Sequence, residues 1–437
     1  MDSMDSVNLA AAPSLSSRSV WPTNIPQRFR RAVSSGAYRP EIDGLRFFAI
    51  ANVVLGHLVQ RAYRFFPNFR DAIDSNPLAS SLHLVPGIGI YLFFAISGFI
   101  IASQARRAHL SPLSAGFLRT YFGRRVLRIE PPYIVLLVAT WLILTLTGYQ
   151  PEGTNQFFTE PQSLSLSLFA SVFYLHDLVW GTFPRLFPPG WTLEVEVQFY
   201  LLAPLVFWLW FRLERLWLRL VLAGAVWFGA NVLSTWMPHQ IGSVSVGYSL
   251  LRCFAFFWLG IILADLRVWL DKGAFGLSPA HLTILGWLGL LGFSAFPDFL
   301  GADASFVGLA ARCVTGLLVA TMFAGALGPD SGFRRFCSRP WISLIGGACY
   351  SLYLVHIQLI QMMSVIAAKH WLQLSFAGVL LMMTLQIVIV IVAGLGFYVC
   401  IERPFMRPNW PALGAQRVKN AIHALRLGFA PAAADLP

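Results

Sequence analysis

Ten apolar segments follow one another along this chain with only short breaks, and they constrain its fold more than any other feature. They lie near 44–63, 87–104, 129–148, 192–211, 216–235, 247–266, 280–297, 305–328, 341–366 and 373–401. A helix of about 18 to 20 residues crosses a bilayer core about 30 Å thick. With 57% hydrophobic and 12% charged side chains, the sequence predicts an all-α, polytopic integral membrane bundle of about ten transmembrane helices.

Arginine and lysine are concentrated in every second connection between these segments, which is typical of cytoplasmic loops. The basic residues are Arg28, Arg30, Arg31 and Arg39; Arg106, Arg107, Arg119, Arg124, Arg125 and Arg128; Arg212, Arg215 and Arg219; Arg267 and Lys272; Arg334, Arg335 and Arg339; Arg403 and Arg407. The positive-inside rule then predicts that both termini are cytoplasmic. The net charge of +12 is attributed to these loops. The expected partner is the lipid bilayer, and no nucleic-acid partner is expected.

Three regions are predicted from these patterns. Residues 1–37 are rich in Ser and Ala and are expected to form a disordered cytoplasmic tail, while 38–404 form the transmembrane domain. Residues 405–437 are expected to be a cytoplasmic tail, with a basic surface helix over 411–428. Segment 164–180 is apolar but is followed by three prolines within residues 184–189, which favours a short re-entrant or interfacial segment over a full span.

The first apolar helix carries a polar stripe. Asp43 and Arg46 lie at its start, and His57 follows Arg46 by eleven residues, so the three share one face. An ionisable group facing lipid costs at least about 2.5 kcal/mol, which predicts that the stripe faces a cavity. Glu196 is expected near the same outer end as His57, where a carboxylate can orient an imidazole that acts as a general base. A purely structural histidine and a carboxylate at a helix N-terminus are the alternatives.

Arg125 and Arg128 are three residues apart, with Arg124 beside them, just before Pro131 and Pro132. A guanidinium pair on one helix face suits the phosphates of a nucleotide at the inner membrane surface. Ordinary basic decoration of a cytoplasmic loop is the competing interpretation.

Tyr353 and His356 form a third polar pair, three residues apart in the ninth segment. They are interpreted as substrate contacts or as structural hydrogen-bonding groups. Gly346 and Gly347 just before them, and Ser97 with Gly98 in the second segment, are small residues suited to close helix packing. No metal site is expected.

Taken together, these stretches resemble acyltransferase family 3, the membrane-bound O-acyltransferases, in its single-domain form. The matching motifs, in the family's order, are YRPEIDGLRFFAIANVVLGH at 38–57, FFAISGFII at 93–101, FGRRVLRIEPPY at 122–133, WTLEVEVQFYL at 191–201, CYSLYLVH at 349–356 and ERP at 402–404. The resemblance implies an essential histidine at His57, an RxxR pair at Arg125 and Arg128, and a functional glutamate at Glu196. Val197 departs from the second acidic residue that many members carry.

The resemblance also implies the reaction. Family members move an acyl group, usually acetyl, from acetyl-coenzyme A to a hydroxyl of a cell-surface or exported glycan or glycolipid. Acyl-coenzyme A is therefore expected as a co-substrate, with no tightly bound cofactor, in a bacterial cytoplasmic (inner) membrane. The extracytoplasmic esterase-like domain of larger members is not found in this sequence, so a separate acyl-handling partner is one expectation.

Two other functions also fit the sequence. A transporter or flippase of a glycan or lipid-linked substrate also has many spans and buried polar groups, and a sensor would bind the acyl donor without turnover. Direct transfer and a covalent acyl relay through His57 both fit the residues. The acceptor, the acyl chain length, the oligomeric state and the organism are not determined by the sequence.

Overall fold

The computed structural model describes residues 38–76, 88–107, 111–149, 163–238, 240–241, 244–271, 276–295 and 304–406, together with Pro26, Phe29 and Arg31. The long helices are α1 (Pro40–Phe65), α3 (Ile88–Arg107), α4 (Ala115–Thr147), α7 (Trp191–Phe211), α8 (Leu216–Trp236), α9 (Leu250–Asp271), α10 (Pro279–Ala295), α11 (Phe306–Leu327), α14 (Cys349–Trp371) and α15 (Phe376–Phe397). The shorter helices are α2 (Pro67–Asp74), α5 (Leu164–Val172), α6 (His176–Trp180), α12 (Gly332–Cys337), α13 (Pro340–Gly347) and α16 (Arg403–Phe405).

The predicted membrane bundle is confirmed. Within the described ranges, eight helices are long and apolar enough to cross a bilayer. The other two predicted spans coincide with α9, which carries Arg252, Asp265 and Arg267, and with α10, an apolar helix of 17 residues. Each of the ten predicted segments therefore corresponds to a long helix.

Two helix boundaries differ from the prediction. The third span was expected to begin at 129, but α4 begins at Ala115 and continues through both prolines for 33 residues. The Tyr350 hydroxyl donates to the carbonyl oxygen of Ile129 over 2.8 Å, just before the two prolines. The segment predicted at 341–366 is divided at Ala348 into α13 and α14.

The segment before α7 is broken, as its prolines predict. It consists of α5, α6 and a 3₁₀ turn over Pro188–Gly190, which leads directly into α7. Between α8 and α9, strands β1 (Gln240–Ile241) and β2 (Val244–Ser245) pair antiparallel, so this short hairpin is added to the predicted all-α fold.

Glycines allow α3 and α9 to pack closely, and among the described helices this pair is in the most extensive contact. A Cβ atom on Gly98 would collide with the carbonyl oxygen of Phe257, and one on Gly260 with the carbonyl oxygen of Ala95. The two backbones therefore touch, as the small residues at 97–98 predict. Aromatic rings continue the contact, with Phe94 stacked on Phe257 at 4.6 Å between centroids.

Ion pairs gather the basic helix ends at one end of the bundle. Asp265, near the end of α9, pairs with Arg106 at the end of α3 and with Arg219 at the start of α8. Glu41, at the start of α1, lies 3.6 Å from Arg334 in α12. This shared end, called the arginine end below, is the one predicted to face the cytoplasm.

Most of both predicted tails, including 411–428, lies outside the described residues. Two described positions of the N-terminal tail contact the bundle. Arg31 Nη1 lies 3.6 Å from Asp43 Oδ1, and the Arg403 guanidinium lies 5.5 Å from the centre of the Phe29 ring.

Candidate active site

A cavity opens between five helices, α1, α3, α4, α7 and α14. Its polar lining comes from Arg46, Ser97, Arg125, Arg128, Thr192, Glu196, Tyr200, Cys349, Tyr350 and Tyr353. Isoleucine and phenylalanine side chains of α3 form much of the remaining wall. The lining thus combines three guanidinium groups and one carboxylate with an apolar surface, a composition suited to an amphipathic anion.

Arg125 and Arg128 both line this cavity, as their three-residue spacing predicts. Arg125 is 7% exposed, donates to the Gln104 carboxamide, and lies between the rings of Tyr121 and Tyr200 at 5.6 and 5.5 Å. These contacts hold the planar guanidinium in place before any ligand binds.

Arg128 and Arg124 differ in their surroundings. Arg128 is partly buried, and its interactions within the described ranges are electrostatic, with Tyr200, Glu402 and Glu196 among the partners. Arg124 is exposed and is not part of the cavity lining. Arg124 directly precedes Arg125 in the sequence but does not line the cavity, because successive residues of a helix are rotated by about 100°.

The charged start of α1 contributes Arg46 to the cavity lining. Asp43 and Arg46 are 3% and 5% exposed, and Arg46 Nη1 donates to Asp43 Oδ1 over 2.5 Å. Burial lowers the pKa of Arg31 to about 9, and repulsion by Arg128 and Arg46 acts in the same direction, while Asp43 raises it. Gly346 lets α13 lie directly on the carbonyl oxygen of Asp43.

Glu196 lies with the arginines in this cavity. Its Oε1 accepts hydrogen bonds from Ser97 Oγ, at 3.0 Å, and from the Tyr200 hydroxyl. The expected contact between Glu196 and His57 is not among the hydrogen bonds of the described residues. The reason is geometric, since the Glu196 side chain turns towards α3 and towards Tyr200, one helical turn further along α7.

His57 is instead in contact with His356. His57 Nδ1 lies 3.2 Å from His356 Nε2 and 3.0 Å from the Val53 carbonyl oxygen. His356 is fully buried, and its Nδ1 lies 2.6 Å from the Tyr353 carbonyl oxygen. Two histidines that are 299 positions apart in the sequence therefore form one hydrogen-bonded pair between α1 and α14.

Tyr353 lies between the cavity and the histidine pair. Its ring lines the cavity and lies 5.5 Å, between centroids, from the His356 ring. Its hydroxyl lies 2.6 Å from both Thr192 Oγ1 and the Pro189 carbonyl oxygen. The broken segment before α7 is thus attached to α14 at the end of the cavity that is nearest to the two histidines.

Several site residues were not identified from the sequence. Tyr200 follows Glu196 by four residues, a spacing that could have suggested the contact. Gln104, Thr192 and Cys349 carry no local signal, because only helix packing brings Thr192 and Cys349 to the cavity and Gln104 to Arg125. Within the described ranges, no group of three or more His, Cys, Asp or Glu residues could hold a metal ion.

Three known proteins are similar in sequence to parts of this chain. Nodulation protein 10 of Rhizobium leguminosarum bv. viciae is 27% identical over 222 residues, which are 49% of this chain and 55% of that protein. The peptidoglycan O-acetyltransferase OatA of Listeria monocytogenes serovar 1/2a is 26% identical over 348 residues, which are 75% of this chain and 50% of that protein. O-acetyltransferase OatA of Staphylococcus aureus (strain NCTC 8325 / PS 47) is 24% identical over 351 residues, or 75% and 51%.

The chain spans about half the length of the curated relatives it matches. No solved structure matches it. The family model described as an acyltransferase domain matches residues 39–403, which include every residue that lines the cavity and both histidines of the pair. The chain therefore belongs to acyltransferase family 3, a family of membrane acyltransferases.

Proposed function

We propose that this chain is a membrane O-acyltransferase that moves an acyl group, acetyl in the simplest case, from acyl-coenzyme A to a hydroxyl of a cell-surface or exported glycan. The observation that carries the proposal is one cavity with guanidinium groups at the arginine end and a histidine pair beyond its opposite end. Family membership supports the acyl transfer, and the names of both OatA relatives support acetyl as the group. The peptidoglycan in the name of the Listeria relative supports a glycan as the acceptor.

The donor is assigned to the arginine end. Arg125 and Arg128 are placed to bind phosphate oxygens of coenzyme A, and Arg46 adds positive charge beside them. The apolar wall of the cavity then suits the acyl chain and the pantetheine arm. Arg46 and His57 are eleven residues apart on α1, which is about 16 Å along the helix and about half the thickness of the bilayer core.

The proposed chemistry is direct transfer with general base catalysis. His57 takes the proton from the acceptor hydroxyl as its oxygen attacks the thioester carbonyl, and the C–S bond breaks as the C–O ester bond forms. The coenzyme A sulfur leaves with the electron pair and is protonated. A positioned base contributes about 10² to 10⁴ in rate.

Glu196 has a different role in this proposal from the one expected of it from the sequence. Its carboxylate balances part of the positive charge of the cavity and is held by Ser97 and Tyr200. It is therefore assigned to shaping the donor site rather than to orienting His57.

The test is an acetyl-transfer assay with labelled acetyl-coenzyme A, proteoliposomes and glycan extracted from cells that lack the gene. The expected result is alkali-labile label in the glycan, with turnover lowered about 10²- to 10⁴-fold by His57→Ala. Full turnover by the His57→Ala variant would show that His57 is not the general base. Movement of intact glycan across the vesicle membrane without labelled ester would favour the transporter or flippase, and donor binding with neither result would favour the sensor.

A further inference from the structure

Backbone carbonyl groups determine where the protons of the histidine pair reside. A carbonyl oxygen can only accept a hydrogen bond, so a ring nitrogen bound to it must carry a proton. His356 Nδ1 lies 2.6 Å from the Tyr353 carbonyl oxygen. Neutral His356 is therefore protonated on Nδ1, and its Nε2 presents a lone pair.

The same argument applies to His57. Its Nδ1 lies 3.0 Å from the Val53 carbonyl oxygen and 3.2 Å from His356 Nε2, and both of these atoms are acceptors. The Nδ1 proton of His57 is thus shared between two acceptors. Neutral His57 must then hold its lone pair on Nε2, the nitrogen that takes the substrate proton in the proposed reaction.

We propose that His356 is a positioning residue for His57: by accepting from Nδ1 it selects the tautomer with a basic Nε2 and holds the ring in place during acyl transfer. This inference rests on the proposed function, in which His57 is the base. It gives His356 the part that the sequence suggested for the carboxylate of Glu196. His356 suits this part because it is fully buried between α1 and α14 and its own Nδ1 is held by a backbone carbonyl.

No proton has to move onto His356 during the reaction. His57 Nε2 takes the hydroxyl proton, and the resulting imidazolium donates from Nδ1 to His356 Nε2 and to the Val53 carbonyl oxygen. When the C–S bond breaks, Nε2 returns the proton to the departing sulfur, and His57 is neutral again. His356 accepts a stronger, charge-assisted hydrogen bond while His57 is charged.

A neutral acceptor is physically reasonable at this place. A buried carboxylate would have to be desolvated in every step of the cycle, which is costly inside a membrane bundle unless it is paired. An imidazole that is satisfied at Nδ1 provides the same acceptor geometry without a permanent buried charge.

The experiment compares His356→Asn with His356→Gln in the acetyl-transfer assay. The Asn side chain ends near the position of Nδ1 and removes the acceptor for His57, whereas the Gln side chain can place its amide oxygen near the position of Nε2. We expect His356→Asn to lower kcat about 10- to 100-fold, the effect of losing a hydrogen bond to a charged group. We expect KM for acetyl-coenzyme A to be unchanged, and His356→Gln to recover most of the activity.

His57→Ala is the first arm, so that failure of the inference differs from failure of the proposed function. If His57→Ala is fully active, the proposed base is wrong and the positioning role falls with it. If His57→Ala is inactive while His356→Asn has wild-type kcat, the base stands and the positioning role is overturned. Equal loss of kcat in the Asn and Gln variants overturns it as well.

The expression level and the thermal unfolding midpoint in detergent show whether each variant folds. If His356→Asn does not fold, His356→Gln decides alone. Retention of most of the wild-type kcat supports the proposal, and a loss as deep as that of His57→Ala overturns it.

Discussion

At the scale of single residues, the surroundings of each arginine decide its role more than its place in the sequence does. Arg124 and Arg125 are neighbours in a basic run, yet one is exposed and the other is held between two tyrosine rings in the cavity. A helix turns about 100° between them, so adjacent residues serve different faces. This pair supplies a matched test of donor binding.

Replacing Arg125 by Lys should raise KM for acetyl-coenzyme A about tenfold, because the charge is kept but the planar contact with Gln104, the tyrosine rings and a phosphate is lost. Arg124→Lys is the control and should leave KM unchanged. Steady-state kinetics in proteoliposomes measure both. An equal rise in the two variants would mean that general surface charge, rather than the cavity, binds the donor.

Cys349 reports directly on occupancy of the cavity. It is 6% exposed and lines the cavity, whereas Cys400 is exposed elsewhere. Coenzyme A at about ten times its Kd should slow maleimide modification of Cys349 about tenfold by mass action. Peptide mass spectrometry gives the rate at each cysteine, with Cys400 as the internal control. An unchanged Cys349 rate would place the donor elsewhere.

At the scale of helices, direct backbone contact replaces side-chain packing at the centre of the bundle. Gly98 and Gly260 bring α3 and α9 together, and α3 also provides one wall of the cavity. The position of Ser97 against Glu196 depends on this contact, because Ser97 immediately precedes Gly98. Stability and site geometry are therefore linked in α3.

Gly98→Ala should destabilise the protein by about 1 to 3 kcal/mol, since the added methyl group meets a backbone oxygen that cannot move without shifting α9. Gly229→Ala in α8 is the matched control, because a Cβ there has nothing within 4 Å. Its better helix propensity should leave stability unchanged or slightly raised. Thermal unfolding in detergent measures both midpoints, and similar midpoints for the two variants would contradict the close contact.

At the scale of the whole molecule, the bundle has two chemically different ends. Asp265 with its two arginines, and Glu41 with Arg334, join five helices at the arginine end. The histidine pair lies away from this end, beyond Tyr353. If the positive-inside rule holds, the donor site opens to the cytoplasm and His57 lies in the outer half of the membrane.

Cysteine labelling in whole cells tests this orientation. Cys introduced at Gln373, between α14 and α15, should react with a membrane-impermeant maleimide in intact cells. Cys introduced at Arg215, between α7 and α8, should react only after permeabilisation. Both positions are exposed, so accessibility of the side chain does not differ between them. Labelling of both in intact cells, or the reverse pattern, would refute the predicted topology.

The sequence could predict those parts of the site that depend on a single helix. The bundle follows from segment length and hydropathy, and this expectation is confirmed. The common face of Arg125 and Arg128 follows from helical periodicity, and both residues line the cavity. The helix α4 begins before the apolar segment predicted at 129–148, because hydropathy marks only the apolar part of a helix and not its basic first turns.

Contacts between helices could not be predicted in this way, because hydropathy and periodicity say which face is buried and not what it meets. The sequence by itself determined a membrane bundle of the acyltransferase type, with a basic end and a histidine in its first helix. Only the tertiary structure decided that Glu196 sits among the arginines and that His356 meets His57. Those contacts depend on the relative rotation and height of α1, α7 and α14, which are set by packing across the whole bundle.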